Sequence, residues 1–222
     1  MNPTATRSPD AAASLADLAY ASLRDQLVFL EIAPGEPINE AAISAELGMG
    51  RTPVREALKR LETDRLVVSY PRRGTFATLA DVSELSHITE VRRALEPIAA
   101  RRAAERLTPG LREEMLRLWE ALSRHEPHAN RTELLREDAQ VHRLIYRAAD
   151  NPHLSETLVR LDNLATRIWG LVLDRLPDIS SHIEEHEGLL RAILDGDPDG
   201  AERLAGEHVG HFEATVSGAL LS

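Results

Sequence analysis

The chain has no cysteine among its 222 residues, which excludes disulfides and thiolate metal sites and leaves the compartment open. Aromatic residues make up only 4% of it, so leucine and alanine must supply most of the packing. No run approaches the roughly 18 apolar residues of a membrane span, and no membrane partner is expected. The N-terminus has one early arginine, Arg7, with no continuous apolar segment after it. No secretory signal is therefore expected, and a cytoplasmic location is. What is present is ordinary for a soluble protein: 43% hydrophobic and 28% charged residues, with length enough for one medium domain or two small ones.

Charge is plentiful and uneven. The formal net charge is −10, yet residues 1–80 hold nine Lys/Arg against ten Asp/Glu, while the remainder holds 17 against 26. Within 51–73 the sign reverses, to seven basic against three acidic. Such a balance excludes a general affinity for polyanions and allows one local basic face on an acidic body.

Residues 1–13, small and polar, are expected to form a disordered tail. From Ser14 onward Leu15, Leu18, Ala19, Leu23, Leu27 and Leu30 recur at helical spacing, predicting a helix that ends near Ile32, before Pro34-Gly35. Asn39 is placed to cap a second helix over about 40–47, with Ala42, Ile43 and Leu47 on its apolar face. Gly48 permits a left-handed turn. A third helix starts near Arg51, with Pro53 in its first turn, where a missing N–H costs nothing. Val54, Leu58 and Leu61 form its buried stripe, and Arg51, Arg55 and Lys59, four apart, line another face. Residues 66–70 and 75–78 read as strands joined by Pro71-Arg72-Arg73-Gly74.

Three helices and a hairpin with a basic tip predict an N-terminal winged helix-turn-helix (α+β) over 14–78. Its third helix suits the DNA major groove, where arginine pairs with guanine. Arg72 and Arg73 on the wing suit phosphates or the minor groove. The alternative is a small helical domain whose arginines simply face water.

After Thr78 the strand signals stop. Asp81 and Glu84 resemble a capping box ahead of a long helix to about Leu107, bent by Pro97. Further helices are expected over about 108–126, 132–149, 153–174, 181–196 and from 198 almost to the terminus. Residues 79–222 are thus predicted to be an all-α antiparallel bundle of about six helices.

Asp138 and His142 are four apart, so both project from one helical face, and a carboxylate and an imidazole so placed can share a metal. His186 and His208 come from the fifth and sixth of these helices and could converge with them in the bundle core. His182, one turn before His186, and His211, three residues after His208, could substitute. Surface histidines are the plainer alternative.

Taken together, "RTPVREALKRLE" with "RRGTFA", then "EVRRALEPIAARRAA", Asp138-x-x-x-His142, Glu185-His186 before Ala192-Ile193 and Gly196-Asp197, and finally His208, resemble the GntR superfamily of transcriptional regulators. The likeness is to the branch with a FadR-type C-terminal domain (FCD), in its six-helix, vanillate-regulator-like form. It runs over about 15–220. The resemblance implies that Arg51 and Arg55 contact DNA bases and phosphates, that Thr52 contacts the backbone and that Gly74 lets the wing approach. It implies one divalent metal per subunit, zinc first and nickel or manganese after it, held by Asp138, His142, His186 and His208. His182 and His211 then become surface or supporting residues.

The resemblance further implies a homodimer on an inverted-repeat operator, released by a small carboxylate whose far end meets Arg92 and Arg167. Arg92 has an alternative partner in Glu96, its i+4 neighbour. Two departures from the family pattern are Gly50, where serine is usual before the recognition helix, and Ala41, where a basic residue is sometimes found. An enzyme is not expected: a metal-bound water would need a general base, and Glu185 lies a 100° step from His186. A metal-stabilised interaction module with no ligand is the remaining alternative.

Overall fold

The computed structural model describes residues 13–124, 131–175 and 180–221, so the expected tail lies outside it except for Ala13. The chain separates into two compact units that meet in sequence between Leu79 and Ala80.

In the first unit, α1 (Leu15–Val28), α2 (Glu40–Glu46) and α3 (Arg51–Thr63) precede an antiparallel hairpin of β1 (Val67–Tyr70) and β2 (Gly74–Ala77). Ser14 and Asp17 close a capping box on α1, and Asn39 accepts from two backbone N–H groups at the start of α2. Gly50 caps α3 without a side-chain hydrogen bond. The core joins Ala19, Leu23 and Leu27 to Val54, Leu58 and Leu61, with Leu66, Val67 and Ala77 from the wing. Leu15 and Leu18, expected on that stripe, are 55% and 50% exposed. The reason is length: Asp17 and Tyr20 bond Arg60 and Asp64 at the end of α3, so the first turn of α1 overhangs its partner. Residues 35–38, between the first two helices, lie along β2 through Gly35 N–Ala77 O, Ala77 N–Glu36 O and Ile38 N–Thr75 O bonds, extending the wing.

The second unit contains α4 (Leu85–Arg106), α5 (Pro109–Leu122), α6 (Arg131–Ala148), α7 (Pro152–Val172), α8 (Ser180–Asp195) and α9 (Pro198–Leu221). A 3-10 turn, Val82–Glu84, stands where the capping box was expected, with Asp81 as its cap. Thr108 and Asn151 cap α5 and α7, each followed by proline at the first helical position. Pro97 does not end α4, and Gly206 of α9 leaves room opposite it. The long α4 is central: it packs along α9 and also meets α6, α7 and α8. Among the described residues no helix is long and apolar enough to cross a membrane.

Candidate metal centre and nucleic-acid interface

On the winged unit, α3 exposes Arg51, Thr52, Arg55 and Lys59 on the side away from its buried stripe. Arg55 is held by Glu40 at the start of α2, with Nε 2.8 Å from the carboxylate. The wing tip exposes Arg72, Arg73 and Gly74. Arg72 and Gly74 both have left-handed backbone, with φ of 63° and 97°, so only the second is conformationally cheap.

The helical unit buries charge. Asp138 and His142 of α6, His186 of α8 and His208 of α9 are all withdrawn from solvent. Nε2 of His142 lies 3.4 Å from Nε2 of His186 and 3.4 Å from Nε2 of His208. Oδ1 of Asp138 lies 3.5 Å from His186 Nε2 and 3.7 Å from His142 Nε2. Burial, reinforced by the neighbouring imidazoles, pushes the pKa of both His186 and His208 well below the ordinary 6.5, so they are neutral. Burial opposes the Asp138 carboxylate, but His142 and a hydrogen bond from His182 more than offset it, and its pKa lies below the usual range.

The tautomers follow from the outer partners. His208 Nδ1 donates to Glu185 at 2.8 Å, which leaves its Nε2 lone pair facing the cluster. His142 Nδ1 meets acceptors at Tyr146 (3.3 Å) and Glu96 (3.5 Å), so its Nε2 is bare as well. Two bare lone pairs 3.4 Å apart repel unless a cation lies between them. Ligands about 2.0–2.1 Å from a tetrahedral zinc are separated by roughly 3.3–3.4 Å, which the imidazole spacing matches. The donor set therefore fits a divalent metal.

Sequence reasoning placed Asp138, His142, His186 and His208 together and missed what supports them. Glu185, set aside as a base, orients His208 and also meets His211, which is 67% exposed. Arg92 is buried, with Nε 2.5 Å from Glu96 and Nη2 3.3 Å from Asp162. Burial depresses that guanidinium, but the two carboxylates more than compensate, and its pKa is raised. Arg167 is also buried in α7, where desolvation lowers its pKa to about 10. His182, left to the surface or a supporting place, is only 14% exposed, with Nε2 2.7 Å from Asp138 Oδ1. Its spacing of four from His186 was the available signal.

The neutral imidazoles set a pH dependence. Unfolded, His186 and His208 take up protons below about 6.5; folded, they do not, so stability falls as pH drops through that value. The loss approaches about 1.4 kcal/mol per pH unit for each histidine. Urea unfolding of chelator-treated protein at pH 7.5 and 5.5 checks this; equal midpoints would mean that the folded cluster is protonated.

Residues 87–211 match the FCD domain, and residues 15–77 match the bacterial regulatory proteins of the gntR family. The chain belongs to the GntR family, in its FCD branch. It is a transcriptional regulator of GntR/FCD type with a DNA-binding winged domain, and the relatives are likewise regulators rather than enzymes. The HTH-type transcriptional repressor RspR of Escherichia coli is 26% identical over 89% of this chain and 86% of its own. The probable D-xylose utilization operon transcriptional repressor of Paenarthrobacter nicotinovorans is 30% identical over 86% of this chain and 85% of its own. Among solved structures, E. coli McbR/YncC shares the fold with a TM-score of 0.81 and 24% identity, covering 93% of this chain and 99% of that one.

Proposed function

We propose that this GntR/FCD regulator is a metal-containing repressor that binds an inverted-repeat operator as a homodimer and is released by a small carboxylate. The observation that carries the reading is the buried convergence of three imidazole nitrogens and one carboxylate oxygen on three helices of a regulator. Asp138, His142, His186 and His208 would hold one divalent ion per subunit, zinc before nickel or manganese. When bound, the ion supplies a positive Lewis-acidic centre for a carboxylate.

The remaining roles belong to the chain. Arg51 and Arg55 read bases, Thr52, Lys59, Arg72 and Arg73 fix the phosphates, and Gly74 lets the wing come close. Val91 and Ile98 expose an apolar strip on α4, 41% and 45% accessible and two turns apart, which supports a two-fold interface. An effector carboxylate reaching Arg92 exchanges with Asp162 of α7, and so loosens α4 from α7; Arg167 supplies the second positive charge. Only residues 78–84 separate β2 from α4, so α4 is the natural carrier of the change. The word "repressor" in the names of two relatives supports repression.

The test is fluorescence anisotropy on the DNA upstream of the chain's own gene, with random competitor at fixed salt. Tight binding to that fragment is expected, weakened by a chelator and by one or more carboxylates from a panel. Equal weak binding to every duplex would remove the operator; binding indifferent to chelator and acids would remove the ligand-responsive part.

A further inference from the structure

We infer that His182 is an additional metal ligand, which holds the coordination position a carboxylate needs and must be displaced for the effector to bind. The inference rests on the metal reading above. Asp138, His182, His186 and His208 offer ligand atoms that all lie within 4.8 Å of one another, so His182 belongs to the donor cluster by position. Its Nε2, not its Nδ1, faces Asp138, and its ring stands 4.7 Å from that of His186 and 4.6 Å from that of His208. It is also fixed from behind by Trp169, at 4.7 Å between centroids. A histidine serving only the helix surface would not be turned inward against two other imidazoles.

The space around it points the same way. The cavity beside His182, lined by Leu122, Leu134, Glu137, Asp138, Trp169 and His186, has an open volume of about 10 Å³, room for a single water molecule. Even acetate does not fit there while His182 stays in place. Removing the imidazole from the cluster frees both a donor position and the volume to fill it. His182 lies in the first turn of α8, so the exchange acts on a helix that also carries the ligand His186 and Glu185, the partner of His208. The arrangement is a two-state element: His182 bound or carboxylate bound.

The experiment uses cobalt(II) in the full chain, whose visible absorption strengthens as the ligand number falls toward four. Wild type, His182→Ala and His182→Gln are compared, with imidazole and acetate as the added small ligands. Glutamine keeps a hydrogen bond to Asp138 but not the imidazole. The expected result is a stronger cobalt spectrum in both variants, returned toward wild type by free imidazole. Acetate binding, read from the same spectrum, should tighten about tenfold or more, because an intramolecular competitor of high effective concentration is gone. A wild-type spectrum in His182→Gln would overturn the inference and leave His182 as a hydrogen-bond partner of Asp138. Wild type that takes up no cobalt would instead remove the metal reading itself.

Discussion

Arg92→Met is expected to destabilise the helical unit by about 3–5 kcal/mol, a fall of roughly 10 °C in Tm. The guanidinium is buried with two carboxylates, Glu96 at 2.5 Å and Asp162 at 3.3 Å, and is the fixed positive charge between them. Methionine fills much the same volume, so the loss is electrostatic and not a cavity. Two carboxylates remain in a dry interior without their guanidinium, and the chain must either protonate them or admit water. Asp162, whose pKa burial already raises, takes a proton first. The deficit should therefore be largest at high pH and shrink in acid. Urea unfolding at several pH values checks both size and slope. A deficit under 1 kcal/mol, flat with pH, would mean that the three groups are hydrated in solution. The same variant should also weaken the cluster, because Glu96 flanks Nδ1 of His142.

The second large effect is on DNA. Arg51→Ala and Arg55→Ala should each cost about 1–3 kcal/mol per half-site in operator affinity, and nearly twice that for a symmetric dimer. Their loss should fall on the operator and much less on random duplex. Arg72→Ala and Arg73→Ala should behave differently: both kinds of DNA lose affinity together, and the salt dependence becomes shallower by about one ion per phosphate contact removed. Anisotropy titrations over a salt series separate the two patterns. Equal losses on operator and random DNA for Arg51→Ala would assign α3 to the phosphates and leave sequence reading elsewhere.

Much of the architecture is legible because helical periodicity and turn residues are local. Val54, Leu58 and Leu61, the Asn39 cap, the Asn151-Pro152 break and the basic hairpin tip are all read within a few residues of one another. The pairing of Asp138 with His142 is local too. The supports of the cluster are not. Glu185 meets His208 and Glu96 meets His142 only because α8 faces α9 and α4 faces α6, and the rotation of each helix depends on the whole bundle. The edge formed by residues 35–38 is non-local for a related cause, because the bonds that make it come from β2. His182 is a possible substitute by its spacing from His186, and only the family pattern, which names His186 and not its neighbour one turn earlier, moves it to a supporting place.

The ion pair between Arg55 and Glu40 bears on how the regulator searches a genome. An arginine already satisfied by a carboxylate gains little from a passing phosphate, since one partner is merely traded for another. A guanine edge, which accepts two hydrogen bonds at once, offers more than the glutamate does. With Arg55 reading a base as proposed, Glu40 would shorten the dwell on arbitrary sequence while leaving the correct step attractive, so that an operator is reached sooner because the protein is held less firmly everywhere else.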